Sequence, residues 1–323
     1  MRRARRTLVG ALGLCLVLSG WGWAATTFPD RPITLIAPNP PGGTNDIQGR
    51  ALAEAAKKFL PTPITIVNRP GGGGAVGISE VVQARPNGYT LAVGGLSPCV
   101  LIPLTAKLPY TGPGDFQPVI KLANIPLVLA AQAQSAWKSM PELLSHAKAN
   151  PGKIRVGTAG ISSLHHLHLE TLKGKAGVDM THVPFAGGAE STTALLGGHI
   201  EAVILPPSVI VGHVKAGKVR MLGVFDEKRH PMAPEVPTFR EMGFDITQGN
   251  YALILAPKKT PEPVVTILHD ALKKAIETDF FRKFAEEHGY LISYKGPEDL
   301  AKELEHDFAV FGEILKKLGL RKD

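Results

Sequence analysis

Cysteine is nearly missing from this chain: Cys15 and Cys99 are the only two in 323 residues. Cys15 falls inside a leading apolar stretch, so Cys99 is left without a partner, which excludes an intramolecular disulfide framework and a cysteine-based metal site. A chain of this length can do without such staples because it buries a large core. Aromatics are sparse, at 6%, and are not interleaved with the scattered lysines and arginines. That pattern lacks the footprint of a nucleic-acid binder, and no nucleic-acid partner is expected. Also absent are a Walker lysine, an H-E-x-x-H string, a low-complexity linker, a heptad array and any repeat of roughly 20 to 50 residues. Those gaps argue against a P-loop, a zincin centre, a coiled coil and a solenoid.

One long uncharged run is present, at the start. Arg2, Arg3, Arg5 and Arg6 form a positive head, Thr7 to Trp23 carry no charge, and Ala24-Ala25-Thr26 offers small residues for cleavage. Residues 1–25 therefore read as a signal peptide removed on export, and the periplasm is the expected location. The apolar run is at the lower limit for spanning a bilayer, and Leu14 before Cys15 does not suit lipid attachment. Arg5-Arg6 also hints at twin-arginine export. Removing residues 1–25 takes away four Arg and no acid, so 36 basic and 28 acidic residues become 32 and 28, and the net charge falls from +8 to +4.

The remaining residues exceed what one core usually supports, which predicts two lobes with a cleft between them. Short β-rich runs alternate with amphipathic helical stretches from residue 33 onward, the pattern of an α/β fold with mostly parallel sheets and flanking helices. The runs are 33–37, 64–67, 90–93, 127–131, 154–157, 181–185, 202–205, 219–225 and 251–256. Ile47, Ala51, Ala55 and Phe59 make one stripe of a helix over 46–60. Ser139 and Glu142 have capping-box spacing, and Pro297 can open a last helix whose buried face carries Leu300, Leu304, Phe308, Phe311, Leu315 and Leu318. Crossings near 124–126 and 247–251 would divide the mature chain into one lobe of 26–125 plus 248–323 and a second of 126–247.

In open parallel sheets a ligand sits beyond the carboxyl ends of the strands, where loops become helix N-termini. Three loops have that form. In the first, Asn39, Pro41, Gly42, Gly43, Thr44, Asn45 and Asp46 follow a strand and start a helix, and the amides of 43–46 are expected to be free to meet an anion. The alternative for this loop is a plain helix start capped by Thr44 or Asn45. The second, with Gly160, Ile161, Ser162 and Ser163, repeats the design and adds hydroxyls that can cap a helix or donate to a carboxylate. Phe185, Ala186 and Gly187 belong to the third. Anion sockets on opposed lobes suit a small carboxylate.

Sharper chemistries fit less well. Gly72 to Gly77 matches G-x-G-x-x-G, but Arg69-Pro70 interrupts the approach and no acid follows near residues 88–98, so a tight turn is the better account and no cofactor is expected. Gly160-Ile161-Ser162-Ser163-Leu164 begins like a nucleophile elbow but lacks the final glycine. An exported serine hydrolase using Ser162 is the alternative this leaves; no catalytic residue is assigned. His165 and His168 share a helix face that His166 does not, no third ligand follows, and no metal site is expected. One histidine facing the pocket mouth suits this helix better, and His166 is taken as that residue.

Taken in order, the motifs resemble the Bug family, the extracytoplasmic solute receptors of tripartite tricarboxylate transporters. The resemblance runs from about Pro29 to about Leu315. It rests on Asp30-Arg31-Pro32-Ile33, the 40–46 loop, Asn68 to Gly74, Asn87 to Leu91, Asn150 to Lys153, Gly160 to Ser163, His166-Leu167, Val183 to Phe185, Leu195 to Gly198, Pro237 to Gly243 and Ala256 to Pro261. It implies a periplasmic binding protein type II fold whose lobes close over a carboxylate held by the first two loops, a monomer, and permease subunits in the membrane as partner. A ligand-sensing receptor coupled to a signalling partner would use the same fold. Asn39 stands where the family usually has an aromatic, Val67 replaces a glutamate, Ala186 a lysine and Glu190 a proline. Losing a cation and gaining an acid at the third loop argues against a highly charged tricarboxylate.

Overall fold

A computed structural model describes residues 28–247, 249–317 and 320–321. The expected signal peptide, Cys15 and Leu318 lie outside these residues. Among the described residues no helix is long and apolar enough to cross a membrane.

Two sheets build two lobes. In the first, strands β1 (Ile33–Ala37), β2 (Ile64–Asn68), β3 (Thr90–Gly94), β4 (Phe116–Ile125), β10 (Asn250–Pro257) and β11 (Leu291–Lys295) lie in the order β11-β4-β10-β3-β1-β2. The second holds β5 (Leu127–Gln132), β6 (Arg155–Thr158), β7 (Thr181–Pro184), β8 (Ala202–Leu205) and β9 (Val219–Phe225), ordered β7-β6-β8-β5-β9. Four ladders are parallel and five antiparallel, so the sheets are more mixed than the βα alternation predicts. Strands β4, β5, β9, β10 and β11 account for the antiparallel pairs.

Helices α1 (Thr44–Ala56), α2 (Ala75–Val82), α7 (Glu262–Ile276), α8 (Asp279–His288) and α9 (Pro297–Lys317) flank the first sheet, and α3 (Met140–Ala149), α4 (Leu164–Ala176), α5 (Gly188–Leu196) and α6 (Pro207–Lys215) flank the second. The expected last helix forms: Leu300, Leu304, Phe311 and Leu315 are buried, because residues three and four apart share a helix face. At α3 the capping box is displaced. Ser139 accepts from the Glu142 amide, but Glu142 Oε2 accepts from the Lys138 amide at 2.7 Å.

The two crossings lie side by side. Chain leaves the first sheet at Ile125, turns at Pro126 and starts β5 at Leu127; it returns at Asn250, which pairs with Ile125. One apolar cluster runs through this junction, joining Leu96, Val100 and Leu253 of the first lobe to Leu127, Leu164 and Phe225 of the second. Phe225 stacks on Phe239, ring centroids 4.1 Å apart, and ties the segment after β9 to the second lobe.

Candidate binding site in the cleft

The lobes meet over a narrow cavity of about 40 Å³, partly open to solvent. Its wall is made of strand ends and helix starts. Thr44 and Asn45 open α1, Gly74 is the N-cap of α2, Ser163 that of α4 and Pro206 that of α6, and Gly188 is the first residue of α5. Five helix N-termini thus converge on one space. Each brings a partial positive charge worth about 0.3 to 1 kcal/mol to a nearby anion, and burial between two lobes limits screening. Among the described residues no Asp, Glu, Lys or Arg lines the cavity, although Asp46 and Glu190 lie in the first turns of α1 and α5 and offset part of the positive potential there.

The two lobes touch directly beside the cavity. The Leu164 amide at the start of α4 donates to Ser97 Oγ of the first lobe at 2.9 Å. Gly160 and Gly73 face each other so closely that a Cβ on Gly160 would sit 3.2 Å from the Gly73 Cα. Gly187 meets Pro40 in the same way, its Cβ position 3.0 Å from Pro40 Cδ.

The profile of the tripartite tricarboxylate transporter family receptors matches residues 49–320. The chain belongs to this family. Its likeness to a Cupriavidus necator protein, "UPF0065 protein in gbd 5'region", is 36% identity over 98% of this chain and 99% of that one. Among solved structures, the periplasmic binding protein BugD superposes with TM-score 0.87 at 27% identity, covering 92% of this receptor and 100% of BugD. MatC from Rhodopseudomonas palustris with bound malate gives 0.83 at 30%, over 89% and 100%. A second R. palustris protein, solved with adipate, gives 0.86 at 28%, over 90% and 98%.

In this receptor the sequence-expected residues divide into three groups. Asn39, Thr44, Asn45 and Ser163 line the cavity. Gly43, Asp46, Gly160 and Gly187 are buried but do not line it. Asp46 is buried, and its carboxylate accepts from the Gly42 amide at 2.9 Å and from Asn68 Nδ2 at 2.9 Å while pairing with Arg50 at 2.8 Å. Burial pushes this carboxyl up, but the hydrogen bonds from Arg50, Gly42 and Asn68 outweigh it and hold the group below its ordinary value. Pro41, Gly42, Ile161 and Ala186 are exposed, and Ser162, His166 and Phe185 are half-buried away from the cavity wall.

The expected free amides need correcting. Gly43 N–H donates to the Pro40 carbonyl and Asn45 N–H to Asn39 Oδ1, so the first loop satisfies two of its four amides itself. Neither Thr44 nor Asn45 caps α1, whose N-cap is Gly43 without a side-chain bond. In the second loop Ser163 does cap α4, accepting from the His166 amide at 3.3 Å. Ser162, at φ +59°, donates its amide to His166 Nδ1 at 3.2 Å. In the third loop Glu190 reaches back to the Ala186 amide at 3.2 Å, so the receptor's own carboxylate takes the place expected for a ligand's. The cavity therefore offers helix-end potential and neutral side chains more than bare amides.

The histidine at the cavity is His165. His166 stacks on His182 at 3.9 Å between centroids, and His182 is within 2.7 Å of Thr158 Oγ1. Sequence reasoning also passed over Ser97, Gly73, Gly74 and Asn250. Gly73 and Gly74 were available as part of the 72–77 glycine run, but a tight-turn role accounted for them. Nothing local marks Ser97 or Asn250, which are brought in by a helical turn at 97–101 and by the second crossing. Among the described residues no group of three metal-ligating side chains comes together.

Proposed function

We propose that this receptor captures a small mono- or dicarboxylate in the cleft, outside the cytoplasm, and delivers it unchanged to membrane permease subunits of a tripartite transporter. The observation that carries this reading is the convergence of five helix N-termini on an uncharged cavity between two lobes. Malate and adipate, named for two structural neighbours, both carry a carboxylate at each end. A ligand that touches both lobes gains its full interaction energy only when they close, so binding shifts the population toward the closed form, and that form is the signal for the permease. Site residues on this reading are Asn39, Thr44, Asn45 and Ser97 from one lobe and Ser163 and His165 from the other. The leader at 1–25, the lobe limits near 126 and 247 and action as a monomer complete the proposal.

The hydrolase alternative finds less support. The Ser162 amide already donates to His166 Nδ1, and the other nitrogen of that ring faces Glu170 at 3.7 Å, so Ser162 Oγ has no imidazole base.

The test is calorimetry of the mature protein against a panel of small carboxylates. Wild type is expected to bind at least one member, and Thr44→Trp, which fills the cavity from the first turn of α1, to lose that binding while keeping its circular dichroism spectrum. Equal binding by a folded Thr44→Trp protein would overturn the site.

A further inference from the structure

We propose that His165 reads a hydroxyl on the ligand, so that the receptor prefers hydroxycarboxylates over the same acids lacking the hydroxyl. The inference rests on the cleft being the ligand site, as proposed above, and it adds the class of ligand.

His165 is the second residue of α4, is 7% exposed and lines the cavity, yet its Nδ1 has no hydrogen-bond partner. A buried polar atom left this way costs about 1 to 3 kcal/mol, and such groups in folded proteins are normally satisfied. The neighbouring polar groups of the second loop are already engaged. Ser163 Oγ donates to the Gly160 carbonyl at 2.7 Å, the Leu164 amide is held by Ser97, and Ser162 and His166 satisfy each other. His165 thus brings to the cavity wall a ring with one nitrogen unpaired.

The chemistry of that nitrogen narrows the partner. Burial pushes the imidazole down to about 4, so it is neutral at physiological pH and supplies no countercharge to a carboxylate. In a neutral ring Nδ1 either donates or accepts, according to tautomer. A hydroxyl does both, and it matches His165 in either state. With the carboxylate drawn to the helix N-termini, a hydroxyl elsewhere on the same small molecule completes the cavity's polar complement. The analogue without the hydroxyl leaves a buried group unpaired and binds less well.

The experiment is calorimetry with matched pairs, lactate against propionate and malate against succinate, on wild type, His165→Phe and His165→Gln. Wild type is expected to favour the hydroxy acid of the pair it binds by roughly threefold to tenfold, the worth of one neutral hydrogen bond. His165→Phe is expected to bring that ratio to near one, and His165→Gln to restore part of the preference. A ratio that persists in folded His165→Phe, or wild type that binds both acids equally, overturns the inference and leaves the carboxylate receptor standing. Failure of every acid in the carboxylate panel to bind wild type overturns both.

Discussion

At the scale of single residues, two buried titratable groups link the cleft to acid stability. Asp46 holds the first loop by its bonds to Gly42, Asn68 and Arg50. Asp46→Asn is expected to lower stability by about 1 to 3 kcal/mol at neutral pH, mostly through the buried bonds, since Arg50 is 56% exposed and its charge is screened. Because the folded carboxyl ionises below its ordinary 3.8, its contribution is complete above that value and is lost as pH falls through the lower folded one. The difference between variant and wild type in urea melts should therefore be flat from pH 7 to 5 and shrink below about 4. His165 acts over a higher window. The unfolded chain takes up a proton near 6.5 and the folded one only near 4, so stability declines as pH drops between them. His165→Phe should reduce that decline by something of the order of 3 kcal/mol in melts at pH 7 and pH 4.

At the scale of elements, α8 ends against the other lobe. Its C-cap Gly289 has φ +72°, and a Cβ there would lie 2.6 Å from His230 Cε1 and 2.8 Å from Met232 Sδ. His230 Nδ1 accepts from the Met232 amide, so Nε2 carries the proton and donates to the Gly289 carbonyl at 2.9 Å. Gly289→Ala combines left-handed strain with this clash and is expected to cost more than about 1 kcal/mol in thermal melts. Most elements were legible in the sequence because β-branched runs and helical stripes follow burial directly: β1, β3, β8, β9 and α9 lie where periodicity puts them. Strand β4 was not legible. Its run FQPVIKLANI contains Pro118 and Lys121, and Lys121 is buried only because it pairs with Glu303 of α9 at 2.7 Å, 182 positions away. The site was half legible for a similar reason. Asn39, Thr44, Asn45 and Ser163 belong to strand-to-helix loops with a local signature, whereas Ser97, His165 and Asn250 reach the cavity through tertiary placement.

For the whole molecule, glycines across the cleft set how closely the lobes approach. Gly160 has φ +108° and lies against Gly73, so Gly160→Val should wedge the lobes apart. The expected outcome is a larger radius of gyration in small-angle scattering and an affinity for the bound carboxylate lower by about tenfold or more, since only the closed fraction binds fully. The strand order carries one more consequence, for the order of events during synthesis. Strand β10 lies between β3 and β4, yet the whole second lobe is made before it. Until translation passes Pro257, β4 has neither of its ladder neighbours and the first sheet stays a fragment of β1, β2 and β3. A nascent chain is thus kept from joining β4 to the rest of its larger lobe until some four-fifths of it has been threaded out.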